Sequence, residues 1–253
     1  MRRLLMVVAV IVAVVMVAGV ASATLLGIAQ YTGNRPDVKY DDWGRLVYDA
    51  VSDLLEFRNS VDEIIRLPDG TGVTITDTGN YDPVVGFGLA IYVDENGNFT
   101  GGVTNHRYSW DLTGTSDSYS GSYTSDYDMV EVLLRGTITV AGHTYTASPG
   151  NPVLLLAADV DAFGWDNLDN NSSQVDFLFG TVAGAWVDDG IWPTSPPTGA
   201  YAMIGGTLDW SNGFNLENKG GDKMPTPEPT TLLLLGTGLI GLAGLGRRKF
   251  KKG

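Results

Sequence analysis

Most of the side chains in this sequence that could take part in catalysis or metal binding carry oxygen atoms. Its 253 residues include 29 Asp and Glu, two His and no Cys. The densest group of oxygen ligands lies within residues 159–171 and consists of Asp159, Asp161, Asp166, Asp169 and three asparagines. Calcium takes about six to eight such ligands, and the same residue types also favour turns without any metal. The segment is therefore predicted to be a loop and a candidate calcium site, and the sequence indicates no other cofactor.

Residues with acid–base capacity form no recognisable catalytic pattern. His106 and His143 stand alone, and neither G-x-S-x-G nor H-E-x-x-H occurs. Glycoside hydrolysis needs two carboxylates that flank the scissile bond. Two pairs would share a strand face if extended, although such acids are more often solvated surface residues: Asp126 with Asp128, and Asp159 with Asp161. We predict that the protein is not an enzyme, with a secreted glycoside hydrolase as the less favoured alternative.

Six tryptophans raise the alternative of carbohydrate binding, because aromatic faces beside polar residues can stack on sugars. Trp165 stands next to Asp166 and Asn167, and Trp192 next to Pro193. These two tryptophans are the candidate sugar-contacting residues. Packing in the core is the alternative role for large aromatic side chains. A carbohydrate-binding module is therefore the second functional hypothesis.

The elements that would position these side chains are β-strands. Short runs rich in Val, Ile, Thr, Tyr and Phe alternate with Gly, Asn, Asp and Pro clusters. The pattern predicts a mainly β fold, with a single antiparallel β-sandwich or jelly-roll-like domain over residues 24–210 and a polar linker over 211–226. Predicted strands lie at 73–76, 89–93, 99–100, 129–140, 153–160, 175–182 and 200–208, with an Asn-Gly turn at 94–98.

The segment 43–55 fits two structures. Apolar residues recur at helical spacing from Trp43 to Leu55, which predicts an amphipathic helix. The alternative is a hairpin in which residues 46–50 turn at Ser52-Asp53 into residues 54–57. The pattern alone leaves both interpretations open.

The N-terminus has the features of a secretory signal peptide. Arg2 and Arg3 precede an uncharged apolar run over 4–20, and Ala21-Ser22-Ala23 supplies the small residues that signal peptidase accepts. We predict a signal peptide over 1–23, in which Ala21 and Ala23 define the cleavage site. The alternative is a permanent transmembrane helix, since the run is nearly long enough to span a bilayer.

A second apolar segment lies near the C-terminus, over 230–246, and a basic end follows at 247–252. Its 17 residues would cover about 25 Å as a helix, slightly less than the roughly 30 Å hydrocarbon core. The basic cluster should remain in the cytoplasm, so the preceding residues would lie across the membrane. The sequence therefore predicts a C-terminal transmembrane helix.

The tail resembles the PEP-CTERM sorting signal. Pro227-Glu228-Pro229, the apolar run and Arg247-Arg248 follow one another in the order and spacing of that signal, over 227–253. The resemblance implies that the chain is the substrate of an exosortase, an inner-membrane enzyme of Gram-negative bacteria often found with exopolysaccharide biosynthesis. It also implies removal of the tail and, after transit through the inner membrane and periplasm, a secreted or cell-surface location. Within 43–55, resemblance to other PEP-CTERM proteins favours the hairpin.

The charge of the exported part excludes one class of partner. Seven of the 16 Lys and Arg lie in the two terminal segments, so nine remain against all 29 acids, a net charge of about −20. Such a surface repels nucleic acid phosphates. The absence of cysteine also excludes disulfides, so stability must come from burial.

The predicted function is that of a non-enzymatic surface or extracellular matrix protein, associated with exopolysaccharide or biofilm. Its expected partners are signal peptidase, exosortase, the inner membrane during transit, and exopolysaccharide.

Overall fold

The computed structural model describes residues 25–26, 37–40, 44–65, 73–75, 83–112, 119–168, 171–194 and 198–225. Nearly all of the regular structure is strand, which confirms the mainly β prediction. Both terminal segments, the signal peptide over 1–23 and the sorting tail over 227–253, lie outside the described residues. In the part of the chain that is described, no helix is long and apolar enough to cross a membrane. The described elements are β1 (Asp37–Tyr40), β2 (Arg45–Asp49), β3 (Leu54–Ile65), β4 (Val73–Thr74), β5 (Val84–Val93), β6 (Phe99–Gly102), β7 (His106–Leu112), β8 (Tyr119–Ser125), β9 (Met129–Val140), β10 (His143–Ala147), β11 (Val153–Leu168), β12 (Ser172–Ala183), α1 (Ala185–Asp188), β13 (Thr198–Gly205) and β14 (Phe214–Pro225).

Twelve of these strands form one antiparallel sheet that closes on itself. The order runs β3-β2-β14-β13-β12-β11-β9-β5, and β5 then pairs with β3. Strand β1 occupies the same position as β2, because both pair with β3 and β14 at successive stretches. The sequence predicted a β-sandwich or jelly-roll-like domain, whereas the strand pairings run continuously from β3 around to β5 as one sheet. Pairing on both sides leaves few unpaired backbone groups, which a sheet edge would expose.

The main core fills the inside of the closed sheet. Alternate residues of each strand point inward, as in β5, where Phe87, Leu89 and Ile91 are all fully buried. Rings from other strands pack on them; Tyr40, for example, lies 4.5 Å from Phe87 between ring centroids. A closed sheet of about eight strands has an interior just wide enough to be filled by side chains. Burial of one large apolar side chain stabilises the fold by about 1.5–3 kcal/mol.

A second apolar layer covers part of the outer face. Strands β7 and β8 form a separate two-stranded hairpin, and its Tyr108 and Trp110 pack with outward residues of β5 and β9, among them Ala90, Val130 and Val132. The same strand β5 therefore has two buried faces, which explains its nearly continuous apolar sequence. The hairpin lies against the outer face and adds no strand to the closed sheet.

Several local predictions are confirmed. The predicted strand 129–140 coincides with β9, and its last residues alternate between exposed and buried. Strand β5 turns into β6 through residues 94–98, where the backbone N–H of Gly97 donates to the carbonyl of Asp94 at 2.9 Å. The hairpin interpretation of 43–55 is also confirmed, because β2 and β3 pair antiparallel from Arg45–Arg58 to Asp49–Leu54. The helix interpretation is therefore wrong, although Trp43 lies outside the described residues.

The predicted linker over 211–226 is wrong for most of its length. Strand β14 pairs with β13 along residues 217–225 and with β2 and β1 on its other side. Its polar sequence gave no strand pattern, because only a few of its side chains are apolar. Pairing of backbone groups on both sides makes it a strand all the same. The β-rich domain accordingly continues to Pro225 and does not end at Trp210.

A candidate ligand-binding cleft

A cleft of about 780 Å³ lies where the hairpin β7–β8 meets the outer face of β2 and β3. This volume is within the range of roughly 300–1,000 Å³ typical of small-molecule sites. Most of the side chains that line it are polar or charged, including Arg45, Glu56, Arg58, Asn59, Ser60, Arg107, Ser109, Asp111, Ser120, Ser122 and Asn215. The cleft therefore offers charge and hydrogen bonds to a ligand.

Two glycines of β5 allow the hairpin to lie close to the sheet. A Cβ atom on Gly86 would lie 2.6 Å from the Trp110 ring, and one on Gly88 would lie 2.5 Å from the Tyr108 ring. The hairpin is then fixed by two side-chain hydrogen bonds to backbone carbonyls. The Trp110 indole donates to the Phe87 carbonyl at 2.8 Å, and the Tyr108 hydroxyl donates to the Tyr127 carbonyl at 2.7 Å. One wall of the cleft is thus anchored in the second apolar layer.

The opposite wall carries two arginines that face each other across a strand pair. Arg45 of β2 is directly opposite Arg58 of β3 in the hairpin register. Arg45 donates to Asn215 Oδ1 at 3.1 Å and lies 4.0 Å from the Glu217 carboxylate. The side chains of Arg45 and Arg58 are 55% and 40% exposed. Like charges directly opposite on neighbouring strands are destabilising.

Glu56 partly neutralises this wall. Its Oε1 accepts hydrogen bonds from Arg58 Nη2 at 2.6 Å and from the His106 ring at 3.0 Å. The hydrogen bond with His106, followed by that with Arg58, lowers the pKa of Glu56 to about 2, although burial opposes the shift. Glu56 is therefore ionised at neutral pH and is already engaged by two partners. A general acid for glycoside hydrolysis needs a raised pKa instead.

Arg107 projects from the hairpin into the same cleft and donates to Ser122 Oγ at 3.1 Å. Asp111, which is exposed, adds the second negative charge of the lining. The lining thus holds three arginines and two acids. Trp110 also lines the cleft but is only 3% exposed, so it presents almost no ring face for stacking.

The two predicted sugar-contacting tryptophans lie elsewhere. Trp165 lines an open hollow of about 880 Å³ and donates from Nε1 to the Gly97 carbonyl at 3.0 Å, while its ring packs 5.3 Å from Trp210. Trp192 is 1% exposed and packs in the core beside Trp186, with ring centroids 6.4 Å apart. The prediction for Trp192 is wrong, because a buried ring offers no face to a sugar.

The predicted calcium loop is a strand. Strand β11 continues through Leu168, so Asp159, Asp161 and Asp166 lie along it, while Asp169 is outside the described residues. Asp159 and Asp166 are seven positions apart on an extended strand, a distance of roughly 20 Å, which is too far for them to share one ion. Burial, and then the charge of Asp161, raises the pKa of Asp159. Within the described residues, no group of three or more His, Asp or Glu could hold a metal ion.

The other candidate acid pair, Asp126 and Asp128, binds backbone N–H groups. Asp128 is buried and accepts the backbone N–H groups of Val103 and Val160 at 2.7 and 2.9 Å. Asp126 accepts the backbone N–H of Asn105 at 2.9 Å. Burial raises the pKa of Asp128, against the effect of these hydrogen bonds. Neither carboxylate lines the cleft.

The two histidines differ in burial and in their neighbours. His106 is mostly buried beside Glu56, whereas His143 is 45% exposed and lies 3.4 Å from Asp189. Each histidine is the first residue of its strand, His106 of β7 and His143 of β10.

Sequence reasoning did not single out Arg45, Arg58 or Arg107. Two signals could have found them. The exported part has only nine basic residues, so each of them is a candidate for binding an anionic group. A hairpin in this segment also predicts that Arg45 and Arg58 lie near each other on paired strands, although the observed turn over 50–53, which sets them directly opposite, is longer than the predicted turn at Ser52-Asp53. The third arginine could not be placed, because its position depends on how the hairpin β7–β8 lies against the sheet.

The residues predicted for sorting and cleavage fall in the undescribed termini: Ala21, Ala23, Pro227, Glu228, Pro229, Arg247 and Arg248. A family model described as the PEP-CTERM protein-sorting motif matches residues 225–249. The recognition made from the sequence is thereby confirmed, and the motif indicates a chain that is targeted to exosortase and exported to the cell surface or beyond. No curated protein and no solved structure matches the chain significantly.

Proposed function

We propose that the chain is a non-enzymatic surface or extracellular matrix protein, whose domain is delivered through the sorting tail and associates with exopolysaccharide. The single observation that supports delivery is the sorting motif over residues 225–249, which begins at the last residue of β14. The last described strand therefore ends where the tail motif begins. This arrangement allows removal of the tail without loss of any described strand.

The absence of an enzymatic role is supported by the chemistry of the cleft. Its one mostly buried carboxylate, Glu56, is held ionised by Arg58 and His106. Two carboxylates of different pKa flanking one bond would be needed for glycoside hydrolysis. Asp128 and Asp159, whose pKa values are raised, are not among the residues that line the cleft.

Intact mass of the exported protein tests the delivery. We expect a chain that lacks the basic end 247–252 and the apolar segment 230–246 in the natural host. Replacement of Pro227, Glu228 and Pro229 by alanine should leave an uncut chain in the membrane fraction. Val51→Ala, at a position 95% exposed in a turn of the domain, is the control and should be processed normally. An exported chain that still ends at Gly253 would refute the proposal.

A carbohydrate-binding module is the second candidate, and the position of Trp165 at the wall of an open hollow favours it. Saturable binding of the purified protein to the host's exopolysaccharide, weakened by Trp165→Ala, would support this candidate. A purely structural matrix role predicts no saturable affinity.

A further inference from the structure

Positive charge is concentrated in the cleft although the rest of the exported chain is strongly acidic. Arg45, Arg58 and Arg107 are three of only nine Lys and Arg between the two terminal segments. They come from three different strands, β2, β3 and β7, so the concentration is a product of the fold. Of the two acids in the lining, Glu56 is already bonded to Arg58 and His106.

The arginines retain unused capacity for hydrogen bonding. Arg58 Nε is buried and makes no hydrogen bond within the described residues, although Nη2 is bonded to Glu56. Arg45 and Arg58 are directly opposite in the strand register, an arrangement whose repulsion an anion between them would relieve. Arginine binds carboxylates through two parallel N–H groups, which gives both strength and orientation. The cleft thus has the donors for an anionic group.

Other features limit which anion fits. A volume of about 780 Å³ is far larger than a single inorganic anion needs, and four serines and one asparagine supply hydroxyl and amide groups over the remaining surface: Ser60, Ser109, Ser120, Ser122 and Asn215. Such groups pair with the hydroxyls of a sugar. The net charge of about −20 around the cleft disfavours a long, densely charged polymer, so the ligand's charge must be local.

We propose that this cleft binds a short saccharide or chain end that carries a carboxylate, with Arg45, Arg58 and Arg107 as the carboxylate-binding residues. Recognition rests on charge and hydrogen bonds, since Trp110 is 3% exposed and offers almost no face for stacking. Binding should therefore weaken steeply as salt is added. This site is separate from the hollow lined by Trp165, and it shares no lining residue with it.

Calorimetric titration of the full chain in a non-ionic detergent tests the proposal, with trigalacturonate and trimannuronate as probes. We expect at least one of them to bind at least about ten-fold more tightly than neutral galactotriose. The double variant Arg45→Gln/Arg107→Gln should weaken that binding by at least about ten-fold. Lys39→Gln is the matched control, since it removes one exposed positive charge from β1, outside the cleft lining.

A second variant keeps the test informative if the double variant does not fold. Asp111→Asn removes an exposed negative charge from the lining and should strengthen binding by about two- to five-fold. Failure of both acidic probes to bind would overturn the proposal. Binding of galactotriose as tight as that of the acidic probes would also overturn it. Competition by inorganic phosphate at the same concentration as the acidic sugar would overturn it too, because it would indicate a site for small anions only.

This inference depends on the cleft alone and not on delivery through the tail. Absence of trisaccharide binding together with normal processing in the host would refute the ligand site and leave the sorting proposal intact. Normal trisaccharide binding by a chain that is never processed would refute the sorting proposal and leave the ligand site intact.

Discussion

At the residue scale, the decisive feature is a set of charged side chains whose partners come from distant parts of the sequence. Glu56 is bonded to its neighbour on the same strand, Arg58, and also to His106, which is 50 residues away. Such partially buried charged groups stabilise a fold only while their partners remain paired. Their contribution therefore depends on pH.

Glu56 should make the protein less stable in acid. Its pKa is about 2 in the folded protein and 4.5 as its ordinary value, so its contribution is fully present above about 4.5. The contribution is lost as the pH falls from there toward 2, because the carboxylate must be protonated. Urea unfolding of the natural chain and of Glu56→Gln should differ most above pH 4.5 and converge toward pH 2.

The control for this experiment is Glu217→Gln, at a side chain that is 62% exposed and, among the described residues, forms ion pairs only with exposed Arg45 and Lys219. Its effect on the free energy of unfolding should remain within about 0.5 kcal/mol. A difference between Glu56→Gln and the natural chain that stays constant down to pH 2 would contradict the assignment of the lowered pKa to Glu56.

At the element scale, the hairpin β7–β8 is the element on which the cleft depends. It is not part of the closed sheet, and its position is set by Tyr108 and Trp110 lying over the glycines of β5. Without these contacts the hairpin would not be held against the sheet, and an isolated two-stranded hairpin is only marginally stable in water. The cleft and the second apolar layer therefore form together.

Gly86→Ala should displace the hairpin. The added Cβ would lie 2.6 Å from the ring of Trp110, which is held by a hydrogen bond to the Phe87 carbonyl. Overpacking of this kind costs about 1–3 kcal/mol. We expect a loss of that size in the free energy of unfolding, measured with urea, and a change in tryptophan fluorescence of the folded state.

Gly101→Ala in β6 is the matched control, because its Cβ would meet nothing within 4 Å. It should be neutral or slightly stabilising, since alanine restricts the unfolded chain. Equal effects of the two substitutions would show that the loss comes from strand propensity and not from contact with Trp110.

At the scale of the whole molecule, β14 completes the closed sheet. It pairs with β13 on one side and with β2 and β1 on the other, so the last described residues bind the first described strands. Removal of the tail must therefore leave residue 225 in place if the domain is to remain folded. The sorting motif overlaps β14 only at residue 225, so cleavage after that residue meets this condition.

Truncation should separate the strand from the tail. A chain of residues 24–225 should keep its β-type circular dichroism and a cooperative thermal transition, because all described strands are present. A chain of residues 24–213 should lose both, since β13, β2 and β1 would each gain an unpaired side. Equal melting temperatures for the two chains would contradict the role assigned to β14.

Much of this protein follows from local sequence. Alternation of apolar and polar residues predicted strands such as β9, and Asn-Gly with its flanking residues predicted the turn between β5 and β6. The tail was predicted from a contiguous motif, which the family model matches. Each of these features is encoded by neighbouring residues, because side-chain periodicity and turn geometry act over a few positions.

Only the tertiary structure decided the rest. The polar sequence of β14 became a strand through its pairing with β13 and β2, and Trp192 became a core residue through packing with Trp186. Arg107 joined Arg45 and Arg58 because a separate hairpin lies on the outer face. These outcomes depend on contacts between segments far apart in the chain, and local periodicity determines which residues share a face but not which faces meet.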